Sequence, residues 1–243
     1  MNRLKTITSI LFLVNVFLLT AQEKITWDFP VKPGTEKWNN LKTEKARINA
    51  MQIPEEVLYE MKAKDLIDAC INFPLFGYYS AFNTPQEGFK IMFSRFNIFN
   101  KLCEMDNIGQ YLIKVYEDAE MNGWRHMGYK LNEEYWTLRF NYFEYLISQN
   151  EIIATLDQKE KAELIQIAKT KMAQKSTNGS FNSVSGISSS LLLMSRILHS
   201  DKSLFNSSLS TPENIQHFLE TGMLNNPEMV DEILSSTELY LIQ

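Results

Sequence analysis

The stretch Glu133-Glu134-Tyr135-Trp136-Thr137-Leu138-Arg139-Phe140-Asn141-Tyr142-Phe143-Glu144-Tyr145-Leu146-Ile147-Ser148-Gln149 decides the fold class. At roughly 100° per residue, Glu134, Thr137, Asn141, Glu144 and Ser148 fall on one narrow polar stripe. Trp136, Phe140, Phe143 and Ile147 face away from it, with Tyr135, Leu138, Tyr142 and Leu146 beside them. The period is that of a helix. An apolar arc this wide predicts a helix packed on both flanks, as in the middle layer of a stacked array.

Residues 85–104 have the same character. Lys90, Ser94, Asn97, Lys101 and Glu104 form the polar stripe, opposite Phe89, Met92, Phe93, Phe96, Phe99 and Cys103. The two segments also echo each other: Arg95-Phe96-Asn97-Ile98-Phe99 with Leu102 matches Arg139-Phe140-Asn141-Tyr142-Phe143 with Leu146 at an offset of 44 residues. That offset lies in the HEAT/armadillo range of roughly 40–47. The expectation is an all-α protein of stacked helical hairpins, an irregular α-solenoid or HEAT-like superhelix. Chance similarity between two Phe- and Asn-rich helices is the competing account, since no third copy is convincing.

Start signals punctuate the rest of the chain. Thr84-Pro85-Gln86-Glu87 combines a capping Thr, a Pro in the first turn and a Glu placed for a capping box. Thr35, Asp157 with Glu160, Thr211-Pro212 and Asn226-Pro227 repeat the theme, and Pro54 opens a further helix. Helices are predicted near 35–51, 54–61, 63–72, 85–104, 108–121, 133–149, 158–174, 186–199, 212–221 and 227–240. Residues 176–183 read as a polar loop.

Of 243 residues, 44% are apolar and 22% charged, which excludes a mostly disordered or collagen-like chain. The net charge of −5 lacks the basic footprint of a nucleic-acid binder. Arg3 and Lys5 precede a short apolar run, Ile10–Leu19, which reads as an export signal spanning residues 1–21 with cleavage after Ala21. The run is short for a membrane span, which needs roughly 20 apolar residues. Removal of the signal takes Arg3 and Lys5 with it and leaves a net charge of −7. The mature chain divides into an extended N-terminal arm, 22–37, and a single helical domain, 38–243, with no stable membrane span. The expected location is the periplasm or the extracellular space.

The arm and the helices after it carry a resemblance. Trp27, Phe29-Pro30-Val31-Lys32-Pro33-Gly34-Thr35-Glu36 and Trp38, then Gln52-Ile53-Pro54-Glu55-Glu56-Val57-Leu58 and Asn72-Phe73-Pro74-Leu75, resemble a group of secreted, helix-rich proteins of Bacteroidetes-type bacteria with no established activity. The resemblance covers roughly residues 25 to 110 and more weakly the rest. It implies export and an all-α fold, and carries over no site residue.

Chemistry is sparse. His126, His199 and His217 form no ligand pair on one helix, so neither metal nor cofactor is expected. No Gly-x-Ser-x-Gly or Ser-x-x-Lys motif is present. The pairs Glu55-Glu56 and Glu133-Glu134 lie in first helical turns, where carboxylates meet the positive end of the helix dipole. Cys70 and Cys103 are read as two buried thiols, with a bond between neighbouring helices as the alternative.

Arg95 and Arg139 stand out, because each lies within its helix's apolar arc. Either a helix end or an acidic neighbour such as Glu117 or Asp118 satisfies them, or they line a concave surface that receives a carboxylate or phosphate. Trp124, Arg125 and His126 form a loop that suits glycan stacking or a protein hot spot. The candidate ligand-binding residues are therefore Trp124, Arg125, His126, Arg139 and Arg95. The expected role is a binding or scaffold protein acting through a concave helical face, with a protein or glycan partner. The alternatives are a cell-wall- or glycan-acting hydrolase or lyase with a dispersed site, and an inhibitor of a partner enzyme. Export is checked by mass spectrometry of the native protein, which is expected to find an N-terminus near Gln22. An intact Met1 refutes it.

Overall fold

The computed structural model describes residues 27–120, 123–124, 133–177, 184–201 and 211–242. Among the described residues the chain is all-helical apart from one short β-pair. In order, α1 is Glu36–Asn40, α2 Glu44–Ala50, α3 Glu55–Glu60 and α4 Ala63–Ile71, followed by a 3-10 helix, Phe76–Ala81. Then come α5 Pro85–Arg95, α6 Asn97–Cys103, α7 Gly109–Asp118, α8 Glu133–Ile147 and α9 Asn150–Ile153. The last four are α10 Gln158–Thr177, α11 Val184–Ser200, α12 Pro212–Thr221 and α13 Glu228–Ile242. Two-residue strands, β1 Ala119–Glu120 and β2 Gly123–Trp124, pair antiparallel after α7. No described helix is long and apolar enough to cross a membrane.

The capping residues act as their chemistry dictates. Thr84 Oγ1 accepts from Glu87 N at 3.1 Å, and Thr35 and Thr211 do the same for Trp38 and Asn214. Asp157 and Glu160 form a reciprocal capping box, each side chain accepting from the other's backbone N–H. Pro54 stands at the cap of α3, one position earlier than expected.

Two expected helices are broken. Residues 35–51 divide into α1 and α2, because Thr43 Oγ1 accepts from Ala46 N and starts a second helix. Residues 85–104 divide at Phe96. There the Asn97 amide accepts from Ile53 N at 3.1 Å and donates to Ile53 O at 2.7 Å, while Gln52 donates to Arg95 O and accepts from Asn97 N. These polar groups are satisfied across the chain rather than along it, so a continuous helix loses to the tertiary pairing. Asn97, placed by period on the polar stripe, is half-buried. The 44-residue echo thus takes two local forms, since α8 runs unbroken through Phe140 and Asn141.

Helices adjoin in two successions: α4 with α7 and α7 with α10, and α5 with α8, α8 with α11 and α11 with α13. Helix α8 is packed on both flanks, by α5 and the 3-10 helix on one side and α11 on the other, and no residue from Thr137 to Gln149 is exposed. Helix α11 is buried at every position from Ser188 to Leu198. It runs antiparallel to α10, since Lys161 pairs with Asp201 at 2.6 Å while Lys175 meets Gly186 O at 3.0 Å. It runs parallel to α8, with Asn141 beside Ser189 and Ser148 beside Arg196. The arm docks through Phe29, buried edge-on against Phe73 at 5.5 Å, and Phe73 in turn meets Phe96 and Phe99.

Helix α5 approaches the 3-10 helix without a side chain between them. A Cβ on Gly88 would lie 2.3 Å from Tyr79 O and 2.5 Å from Tyr79 Cα. Backbone cannot yield as a side-chain tip does. Gly88→Ala is therefore expected to cost about 3 kcal/mol through overpacking, read by equilibrium urea unfolding. A change below about 0.5 kcal/mol, as at an ordinary surface site, would show that the approach is not tight.

Candidate functional site

The arginines that the sequence nominates are held by the fold. Arg95, at the end of α5, pairs with Glu44 of α2 and donates to Tyr78 OH at 2.7 Å. Arg139 donates to Ile71 O at the end of α4 and lies 4.0 Å over the Phe76 ring. The orphan carbonyl of a helix end meets its donor there, as one of the two readings of an arginine in an apolar arc expects. The two arginines face different neighbours and form no common site. The backbone of Trp124 belongs to β2, while Arg125 and His126 lie outside the described residues.

Cys70 and Cys103 are both free thiols. Burial pushes both thiols up, Cys103 to about 12 with Glu151 and Glu104 adding to the effect. Each stays protonated at neutral pH, which is the state of an inert thiol.

The largest departure from the sequence stripe is Glu144. It is fully buried, and its carboxylate accepts four hydrogen bonds. Tyr116 OH and Ser190 Oγ donate to Oε1 at 2.6 and 2.8 Å; Ser189 Oγ and Lys175 Nζ donate to Oε2. Lys175, also fully buried, donates further to Asn141 Oδ1 and Gly186 O, each at 3.0 Å, and lies 4.9 Å from the Phe140 ring centre. The network joins α7, α8, α10 and α11. Burial lowers the proton affinity of Lys175 and Glu144 opposes that pull. Burial and then Glu144 raise the Tyr116 hydroxyl. Ser189 Oγ lies 3.1 Å from Lys175 Nζ, the residue types of a nucleophile and its base. The ammonium is bound to a carboxylate and the pair is sealed, so its chemistry serves the fold.

A second group opens to the surface. A cavity of about 300 Å³ lies between α5, the start of α9, α11 and α12. Its floor is formed by three buried side chains, Gln86, Gln149 and Arg196. Its rim carries exposed Lys90, Glu151 and Glu220, and half-buried Phe93 forms a wall. Helix α12 bridges α11 and α5 at this cavity, and its end is fixed by Gly222, whose φ of +72° caps the helix beside Tyr145 and Leu192.

Arg196 donates from Nη1 to Ser148 O at 3.0 Å and from Nη2 to Leu219 O at 2.6 Å. A guanidinium has five N–H donors, so three more are left without a protein acceptor. No carboxylate among the described residues pairs with it, although Glu151 exerts its field. Burial lowers its proton affinity to about 10 against that field, so it remains a cation at neutral pH. Beside it, Gln149 Nε2 donates to Tyr145 O at 2.6 Å and to Gln86 Oε1 at 3.2 Å. This fixes the orientation of the Gln86 amide, since a flip would set two NH2 groups face to face. Gln86 Nε2 is then a buried donor with no acceptor.

Helical periodicity carries part of this arrangement. Lys171 and Lys175 fall on the same face of α10 as Leu164, Ala168 and Met172, and Arg196 interrupts an apolar run, Leu191–Leu198. The same test that singles out Arg95 and Arg139 therefore finds Arg196. Nothing in the order of residues indicates that Gln86 and Gln149 meet it.

The buried pair is tested by a double-mutant cycle. Glu144→Gln and Lys175→Met each leave a buried partner uncompensated and are expected to cost about 3–5 kcal/mol. The double variant is expected to lose less than the two single losses together, by urea unfolding. Additive losses would show an uncoupled pair. No known protein family, characterised protein or solved structure matches this chain, so a functional reading rests on this geometry.

Proposed function

We propose that the chain is an exported binding protein whose helical hairpins stack as an irregular α-solenoid and that it receives a small ligand in the cavity beneath α12. Two successions of adjoining helices, α4–α7–α10 and α5–α8–α11–α13, support the stacked arrangement. The apolar run at 10–19 behind two basic residues, and the resemblance of residues 25–110 to secreted proteins, support export.

One observation carries the binding reading: Arg196, a buried cation with no paired carboxylate, stands with spare donors at the floor of an open cavity. Buried charges are retained at a cost unless something pairs with them. The volume lies at the low end of small-molecule sites. It fits a compound better than a protein surface or a glycan chain. No nucleophile with a base faces the cavity among the described residues, so binding is the reading taken.

The test is native mass spectrometry of the mature protein after exposure to the low-molecular-weight fraction of its own cell envelope. The wild type is expected to retain a bound compound. Asn150→Trp, which fills the mouth from an exposed position at the start of α9, is expected to lose it while keeping its melting temperature. Equal retention by both, or no bound compound in the wild type, refutes the reading.

A further inference from the structure

The cavity carries enough chemistry to name a ligand class, and this inference rests on the binding reading above. Its polar groups are sorted by depth. The floor is made by Arg196, with its spare N–H groups, and by Gln86, whose unpartnered Nε2 is itself closed to solvent. Both side chains are at least nine-tenths buried, with exposures of 8% and 7%. The rim holds both signs, with Lys90 on α5 facing the carboxylates of Glu151 on α9 and Glu220 on α12. Gln216 donates to Glu220 and holds that carboxylate in place. Phe93 supplies one apolar surface beside these groups.

A simple anion would use the floor and leave two rim carboxylates repelling it. A simple cation would find Arg196 and Lys90 against it. Both sets of groups are served by a molecule with an anionic end that enters first and a cationic group near it. A planar carboxylate suits the floor, since a guanidinium can offer its spare N–H groups to two oxygens. An ammonium has three donors and suits two carboxylates. The cavity of about 300 Å³ accepts a molecule of amino-acid to dipeptide size.

We propose that the cavity binds a zwitterionic α-amino acid or a short peptide. Its carboxylate is held by Arg196, its ammonium by Glu151 and Glu220, and its side chain lies against Phe93. Arg196 already joins two helix ends through Ser148 O and Leu219 O, so its replacement would confound binding with stability. The two rim carboxylates are exposed and make better probes.

The experiment is isothermal titration calorimetry of the mature protein with a panel of L-amino acids and dipeptides. For each binder, the matching carboxamide, N-acetyl derivative and des-amino acid are titrated as well. At least one zwitterion is expected to bind, and its carboxamide and N-acetyl forms are expected to bind about tenfold or more weakly, the scale of one lost charge-assisted contact. Glu151→Gln with Glu220→Gln is expected to weaken the zwitterion by about tenfold and to leave or improve the weaker binding of the des-amino acid. If no member of the panel binds while Asn150→Trp still abolishes retention of an envelope compound, the ligand class is wrong and the binding protein stands. If the blocked derivatives bind as well as the zwitterion, the assignment of floor and rim is overturned. If neither the panel nor the envelope fraction binds, both proposals fall.

Discussion

A carboxylate with no access to water organises this protein. Glu144 offers four lone-pair sites, and Tyr116, Ser189, Ser190 and Lys175 fill all four. An isolated buried carboxylate would be lost to protonation or unfolding; one with this many donors is tolerated. The donors come from α7, α10 and α11, so the four helices must be in register before the charge is satisfied. A displaced α11 would carry Ser189 and Ser190 away together. Apolar contacts alone permit sliding between helices, because one leucine is much like another. The network's value is therefore specificity of arrangement as much as net stability, since an apolar replacement of similar volume can be equally stable.

That register sets the cavity. Glu144 lies in the last turn of α8 and Ser148 just past its end, and Ser189 and Arg196 are two turns apart on α11. Once Glu144 meets Ser189 between these parallel helices, Arg196 is brought to the carbonyl of Ser148. From there its other end reaches Leu219 O and draws the end of α12 across the row. The floor of the cavity is thus positioned by an interaction several residues away, in the most buried part of the fold. A binding site on such a frame loses little freedom when it is occupied, which is the physical content of preorganisation.

How much of this was legible in the sequence follows from the kind of interaction. Helix starts were readable at Thr35, Thr84, Asp157 and Thr211, because a cap is satisfied within four residues of its own position. The break at Phe96 was not, because Asn97 is paired with Ile53 and Gln52, whose distance along the chain hides them. The stripe through Asn141, Glu144 and Ser148 is legible as a shared polar face, but its surroundings are not. Period shows that polar residues share a face; it does not show whether water or another polar side chain lies opposite. The wide apolar arc of the same helix already left it little solvent to face. Arg95 and Arg139 stand out in the sequence as needing partners; Glu44 meets the first and the helix-end carbonyl of Ile71 the second.

Three of the buried and half-buried cations share one physical logic. Arg139 donates to the last carbonyl of α4, Lys171 to carbonyls at the end of α7, and Arg196 to the ends of α8 and α12. In a fold built from many short helices, C-terminal ends fall inside the fold, each with carbonyls that no helical N–H can reach. Long cationic side chains supply those donors and offset the negative end of the helix dipole. They can do so without a carboxylate partner. Arg196 obeys the same rule, but two carbonyls use only two of its five donors, and its guanidinium stands at a cavity with carboxylates on the rim. A helix-capping arginine placed at an opening keeps donors that its packing role does not use, and the proposed site is built on that remainder.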